Sequence, residues 1–144
     1  MRDFSNTPLT DAEADIAFEH YGHAYEASWK LAPECAEFLA LTTGIPKVVI
    51  TNGEREQQRR KLKVGGLENH LLAAITPADC GFWKPDPGIF RAALATLGVE
   101  PASCMMIGDD SARDIAPAYA LGMKTFLVEI GSADRTLLHA ARET

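Results

Sequence analysis

Cysteine is scarce in this chain. The three present, Cys35, Cys80 and Cys104, are an odd number with no Cys-x-x-Cys spacing. That excludes a disulfide framework and a thiol-rich zinc site, and it predicts reduced, mostly buried thiols in a cytoplasmic protein. Basic residues are outnumbered, 14 Lys and Arg against 20 Asp and Glu, for a net charge of −6. No basic footprint for nucleic acid results, so nucleic acid is not an expected partner. No apolar run approaches the roughly 18 residues of a membrane span, and residues 1–9 do not have the pattern of a signal peptide. A membrane is therefore not an expected partner either. Internal repeats and low-complexity segments are absent. What is there suits one soluble domain with a sizeable core: 144 residues, 47% hydrophobic and 24% charged.

Helices and strands alternate along the chain. Thr10-Asp11-Ala12-Glu13 reads as a capping box opening a helix with Phe18, Tyr21, Tyr25 and Trp29 along one face. That aromatic ridge is read as packing. A second helix is predicted from Pro33 to Gly44. Lys47-Val48-Val49-Ile50 reads as a buried strand, and a charged helix follows over 54–64 up to Gly65-Gly66. Leu71–Ile75 is a weaker strand, because its alanines are poor strand formers. An amphipathic helix is predicted over 87–97 with Gly98 as its stop. Cys104–Ile107 forms a strand, then a helix capped by Ser111 runs to Leu121 with Pro117 kinking it. Thr125–Val128 is the last strand, and a short helix over 134–142 closes the chain. This alternation predicts an α/β fold, a parallel sheet with helices on both faces in three Rossmann-like layers.

In such sheets ligands bind beyond the carboxyl ends of the strands. Thr51-Asn52-Gly53 falls at one such end and Asp109-Asp110 at another, with Lys84 in the loop before the helix at 87. A hydroxyl, an ammonium and carboxylates at one sheet edge suit phosphate chemistry. Carboxylates hold Mg²⁺ through hard oxygens, and Lys and Thr bind phosphoryl oxygens. Each residue also has a plainer reading. Thr51 suits an ordinary turn, Lys84 a solvated loop, and Asp114 the completion of a cap begun at Ser111. Paired carboxylates at Asp109-Asp110 repel one another and call for a cation or another partner. His20 and His23 have the spacing of a metal pair with no third ligand, and read as surface histidines.

Three segments taken in order carry a family resemblance. Val48-Val49-Ile50-Thr51-Asn52-Gly53 resembles motif II of the haloacid dehalogenase-like (HAD) hydrolases. Lys84-Pro85-Asp86-Pro87-Gly88-Ile89-Phe90 resembles motif III, and Gly108-Asp109-Asp110-Ser111-Ala112-Arg113-Asp114 resembles motif IV. The likeness is closest to the subfamily with a helical cap, so residues 1–30 are expected to be a cap remnant and 31–144 the core. It implies that Thr51 binds phosphoryl oxygens, helped by Asn52 and Gly53, and that Lys84 neutralises charge between nucleophile and phosphate. It also implies that Asp109 binds Mg²⁺, with Asp114 supporting the metal or Lys84. The acidic motif IV points to Mg²⁺-dependent hydrolysis of a small phosphorylated substrate through an aspartyl-phosphate, rather than to dehalogenation. A phosphate-accepting receiver domain fits less well, since its acidic pair precedes its Thr and Lys.

One departure stands out. Motif I of the family is Asp-x-Asp-x-Thr after a strand. The nearest match, Asp3-Phe4-Ser5-Asn6-Thr7, has serine at the second acidic position and only Met1 and Arg2 before it. The expectation is a truncated chain that is inactive alone; a catalytically dead binding or assembly module is the alternative. In the family's strand order, 5-4-1-2-3, the first strand is central. Its loss would leave the strands at 47–50 and 104–107 across a gap of roughly 9–10 Å. Strand donation by a partner, or homodimerisation, is expected to fill it.

Overall fold

The computed structural model describes residues 9–32 and 34–128. The chain divides into two units, Met1–Lys30 and Leu31–Thr144. In the first, α1 (Asp11–Ala27) opens on the expected capping box: the Thr10 side chain accepts from the Glu13 backbone, and Glu13 reaches back to the Thr10 N–H. No residue of α1 is buried, and Phe18 and Tyr21 are exposed. The rings instead pack on one another: Tyr21 stacks on Tyr25 at 6.1 Å, and Tyr25 meets Trp29 edge-on at 5.7 Å. Steps of three and four residues align side chains whether or not anything covers them.

The second unit alternates helix and strand: α2 (Cys35–Leu41), β1 (Val48–Ile50), α3 (Arg55–Val64), β2 (Ala73–Ile75), α4 (Pro77–Cys80), α5 (Pro87–Leu97), β3 (Met105–Gly108), α6 (Ala116–Ala120) and β4 (Lys124–Leu127). β1 pairs in parallel with β2, Val49 opposite Ala74, and β3 in parallel with β4, Met106 opposite Thr125. These are two separate two-stranded sheets, and among the described residues β1 and β3 are not hydrogen-bonded to each other. The fold is α/β, and its two short parallel sheets fit a partial Rossmann-like core.

α5 holds the two sheets over one core. Its residues Ile89, Phe90, Ala93 and Leu94 are buried, and they cluster with Val48, Ile50 and Ile75 from the first sheet, Met106 from the second, Ala118 of α6 and Met123 just before β4. Ile89 and Phe90 are sealed almost completely, at 0% and 1% exposure. Burying side chains of this size stabilises by about 1.5–3 kcal/mol each. Asp86 starts the helix by accepting from the Gly88 N–H, Pro87 occupies the first turn, and Gly98 closes it at φ 67°.

Several sequence expectations are corrected. α2 is shorter than its predicted span, with Glu34 at its start, while Pro33 lies outside the described residues. The three thiols are free but only half-buried. The expected helix from Ser111 to Leu121 is broken into a π-turn, Ser111–Ile115, and the short α6. Asp110, not Ser111, caps it by accepting from the Ala112 and Arg113 N–H groups. Pro117, in the first turn of α6, has no N–H to continue the preceding turn, so the helix restarts there instead of kinking. The helix expected over 134–142 lies outside the described residues.

Candidate active site

Both sheets end on polar loops, and Lys84 joins them. At the end of β1, Thr51 donates its N–H to the Ile75 carbonyl of β2, which fixes the turn that follows. The Thr51 Oγ1 accepts the Gly53 N–H at 3.1 Å, a side-chain turn that leaves the hydroxyl proton to donate. The Gly53 amide is thus engaged inside the turn. Asn52 reaches across to the loop before α5. Its Oδ1 accepts the Lys84 N–H at 2.7 Å, and its Nδ2 donates to the Lys84 carbonyl at 2.9 Å.

The Lys84 side chain runs the other way, to the end of β3. Its Nζ meets Asp114 Oδ1 at 2.7 Å, with both side chains largely out of water, at 16% and 4% exposure. The other oxygen of Asp114 accepts the Asp110 N–H at 3.3 Å. Gly108 makes this packing possible. A Cβ there would lie 2.5 Å from Asp114 Oδ2 and 2.6 Å from Asp114 Cβ, so any larger residue displaces the carboxylate that holds Lys84.

Asp109 and Asp110 part company. Asp110 is spent on structure: besides its cap, its Oδ2 meets Arg113 Nε at 2.5 Å. The hydrogen bond from the Arg113 backbone, followed by that from the Arg113 side chain, holds the Asp110 carboxyl below the ordinary carboxylate value. Asp109 is exposed, and among the described residues it has no hydrogen bond or ion pair. A neighbouring latch braces the edge. Asp79 in α4 accepts from the Thr76 N–H and Oγ1 at 2.8 and 2.7 Å and pairs with Arg55 Nη2 at 2.6 Å, tying the end of β2 to the start of α3.

The donor chemistry admits Mg²⁺ at Asp109. Its carboxylate is a hard oxygen ligand left open, whereas both oxygens of Asp114 are taken by Lys84 and the Asp110 amide. Among the described residues no three His, Cys, Asp or Glu side chains converge as a protein cage. Mg²⁺ asks for less: one or two carboxylates, with water and substrate phosphate completing the octahedron. Two features escaped the sequence reading. The Asn52 side-chain contact spans 32 residues and has no local signal. The Thr76–Asp79 box did have one, Thr-Pro-Ala-Asp directly after a strand.

Residues 2–122 match the haloacid dehalogenase-like hydrolase family, and the chain belongs to that family. It is 35% identical over 105 residues to phosphoserine phosphatase of Thermus thermophilus, a match covering 72% of this chain and 42% of that protein. It is 36% identical over 108 residues to phosphoglycolate phosphatase of Neisseria gonorrhoeae, covering 74% and 45%. The crystal structure of a HAD phosphatase from Thermococcus onnurineus superposes with a TM-score of 0.71 at 30% identity, over 81% of this chain and 55% of that one. The chain spans about half the length of the relatives it matches. No described helix is long and apolar enough to cross a membrane.

Proposed function

We propose that this chain is the phosphate-binding core of a Mg²⁺-dependent phosphatase that hydrolyses a small phosphorylated metabolite through an aspartyl-phosphate. The buried Lys84–Asp114 pair supports the reading, because it is hydrogen-bonded through Asn52 to the turn that carries Thr51 and through the Asp110 amide to the turn that carries Asp109. Thr51 donates its hydroxyl to a phosphoryl oxygen, and Lys84 sets its positive charge beside the developing negative charge. Asp114 holds the Lys84 ammonium in place at 2.7 Å. Mg²⁺, when bound through Asp109, neutralises phosphoryl oxygens and orients the ester. Phosphoserine and phosphoglycolate, the substrates named in the two relatives, are both small phosphate monoesters.

The nucleophile is the open element. No Asp-x-Asp-x-Thr occurs in the 144 residues. The chain alone is therefore expected to bind phosphate weakly and to turn nothing over, since positioning and electrostatics without a nucleophile give little catalysis. The same observation favours a second reading, a HAD-like module that binds phosphate, Mg²⁺ or a protein and never hydrolyses. One assay separates them: hydrolysis of a panel of phosphate monoesters with Mg²⁺ or EDTA, by the chain alone and co-expressed with an apolar strand bearing Asp-x-Asp-x-Thr. Activity only in the co-expressed form supports the phosphatase core. No activity in either form, with Mg²⁺-dependent phosphate binding retained, supports the module. Robust Mg²⁺-dependent turnover by the chain alone, abolished by Asp3→Asn, would place the nucleophile at Asp3 and overturn the expectation of an inactive chain.

A further inference from the structure

We infer that the Asn52 side chain is a positioning residue for Lys84, not a phosphate ligand: it clips the Lys84 backbone to the end of β1 so that the ammonium is held at a fixed place between the two sheets. The inference deepens the phosphate-binding reading of this site and rests on it. Asn52 has one acceptor and two donor hydrogens on its amide, and both ends of that amide are committed to a single residue, at 2.7 Å to the Lys84 N–H and 2.9 Å to its carbonyl. A two-point clasp of this kind fixes orientation as well as distance, because the peptide units on both sides of the Lys84 Cα are held and neither can swivel without breaking a bond. The opposite end of Lys84 is fixed by Asp114 at 2.7 Å. Lys84 is therefore held at its backbone by the first sheet and at its ammonium by the second, and β1 and β3 are not themselves hydrogen-bonded.

That arrangement explains why Asn52 follows Thr51 directly. Thr51 presents the hydroxyl, and the next side chain presents the lysine, so hydroxyl and ammonium are placed by adjacent residues of one turn. Without the clip, Lys84 keeps its ion pair with Asp114 but loses the anchor on its main chain. Its four-carbon side chain then samples several geometries.

The test uses the full chain carrying ¹⁵N-labelled lysine, with inorganic phosphate and Mg²⁺ as the probe. The wild-type Lys84 ammonium is expected to give a slowly exchanging NMR signal, because it is paired with Asp114 and largely out of water, and a wild type without such a signal would count against a fixed ammonium. Asn52→Ala is expected to broaden or remove that signal and to weaken phosphate about tenfold, the worth of two neutral hydrogen bonds. Asn52→Asp keeps the acceptor for the Lys84 N–H and should recover part of both effects, and it serves equally if the alanine variant fails to fold. Leu39→Ala, which destabilises through lost burial in α2, should leave the ammonium signal in place, which separates positioning from general destabilisation. An ammonium signal and phosphate affinity unchanged in folded Asn52→Ala would overturn the clip. A wild type that binds no phosphate, with the ammonium signal still lost in Asn52→Ala, would keep the clip and overturn the phosphate-binding function instead.

Discussion

Three side chains decide what this site can do, and each is placed by a different force. Thr51 is set by a backbone bond to β2, Lys84 by an amide clasp and an ion pair, and Asp114 by the empty space over Gly108. The Lys84–Asp114 pair is nearly dry, so removing one partner strands a buried charge. Asp114→Ala is expected to cost about 3–5 kcal/mol in urea unfolding, while the double replacement Lys84→Met with Asp114→Leu should recover most of it. A double variant as unstable as the single one would mean that the pair is not the source of the loss. Gly108→Ala should destabilise by about 1–3 kcal/mol through overpacking against Asp114. A melting temperature equal to that of the wild type would show that the carboxylate can move aside. Thr51, Lys84, Asp109 and Asp114 stood out as candidates in the sequence, because the three ordered motifs that carry the family resemblance contain them. Whether Asp114 served the metal or Lys84 was left open there, since the choice depends on a contact 30 residues away.

The elements repeat this division between local and distant causes. Strands came within a residue or two of their expected positions, since short β-branched or apolar runs between turn residues have few alternatives. The helix after β3 did not: Pro117 is local, but a π-turn in place of a kink depends on how Asp110 and Asp114 pack. The Thr76–Asp79 latch before α4 gives a test in pH. Hydrogen bonds from the Thr76 hydroxyl, first, and its backbone lower the Asp79 pKa from the usual 3.8. A depressed folded value means that the carboxylate contributes stability above pH 3.8, and that this contribution is lost as pH falls through the lower folded value. Asp79 is partly exposed, so the effect is modest. Asp79→Asn should lower stability at pH 7 by about 0.5–1 kcal/mol, in the range of a helix cap. The gap from the wild type should close in strongly acidic solution. A gap of equal size at both pH values would assign the loss to packing instead of charge.

At the scale of the whole molecule, the governing feature is a sheet in two halves. β1 and β3 are both apolar, both only half-buried apart from exposed Met105, and among the described residues not bonded to one another. Val48 and Ile50 of β1 and Met106 of β3 pack against the buried cluster built around α5, and in the strand order that the family resemblance implies, their edges would flank a missing strand with backbone donors and acceptors open toward it. Parallel strands normally have both neighbours and both faces covered, and an open apolar edge is a template for another strand. We therefore expect the purified chain to associate. In sedimentation velocity it should pass from monomer to larger species as concentration rises. Amide exchange at Val48–Ile50 and Met105–Ile107 should slow over the same range, because the added strand or second copy takes up those groups. The strands β2 and β4 serve as the internal reference, since their bonds to β1 and β3 form within one chain and should not depend on concentration. A monomer at every concentration, with β1 and β3 already strongly protected when dilute, would mean that the two edges are satisfied within the chain and that no partner is needed to complete the sheet.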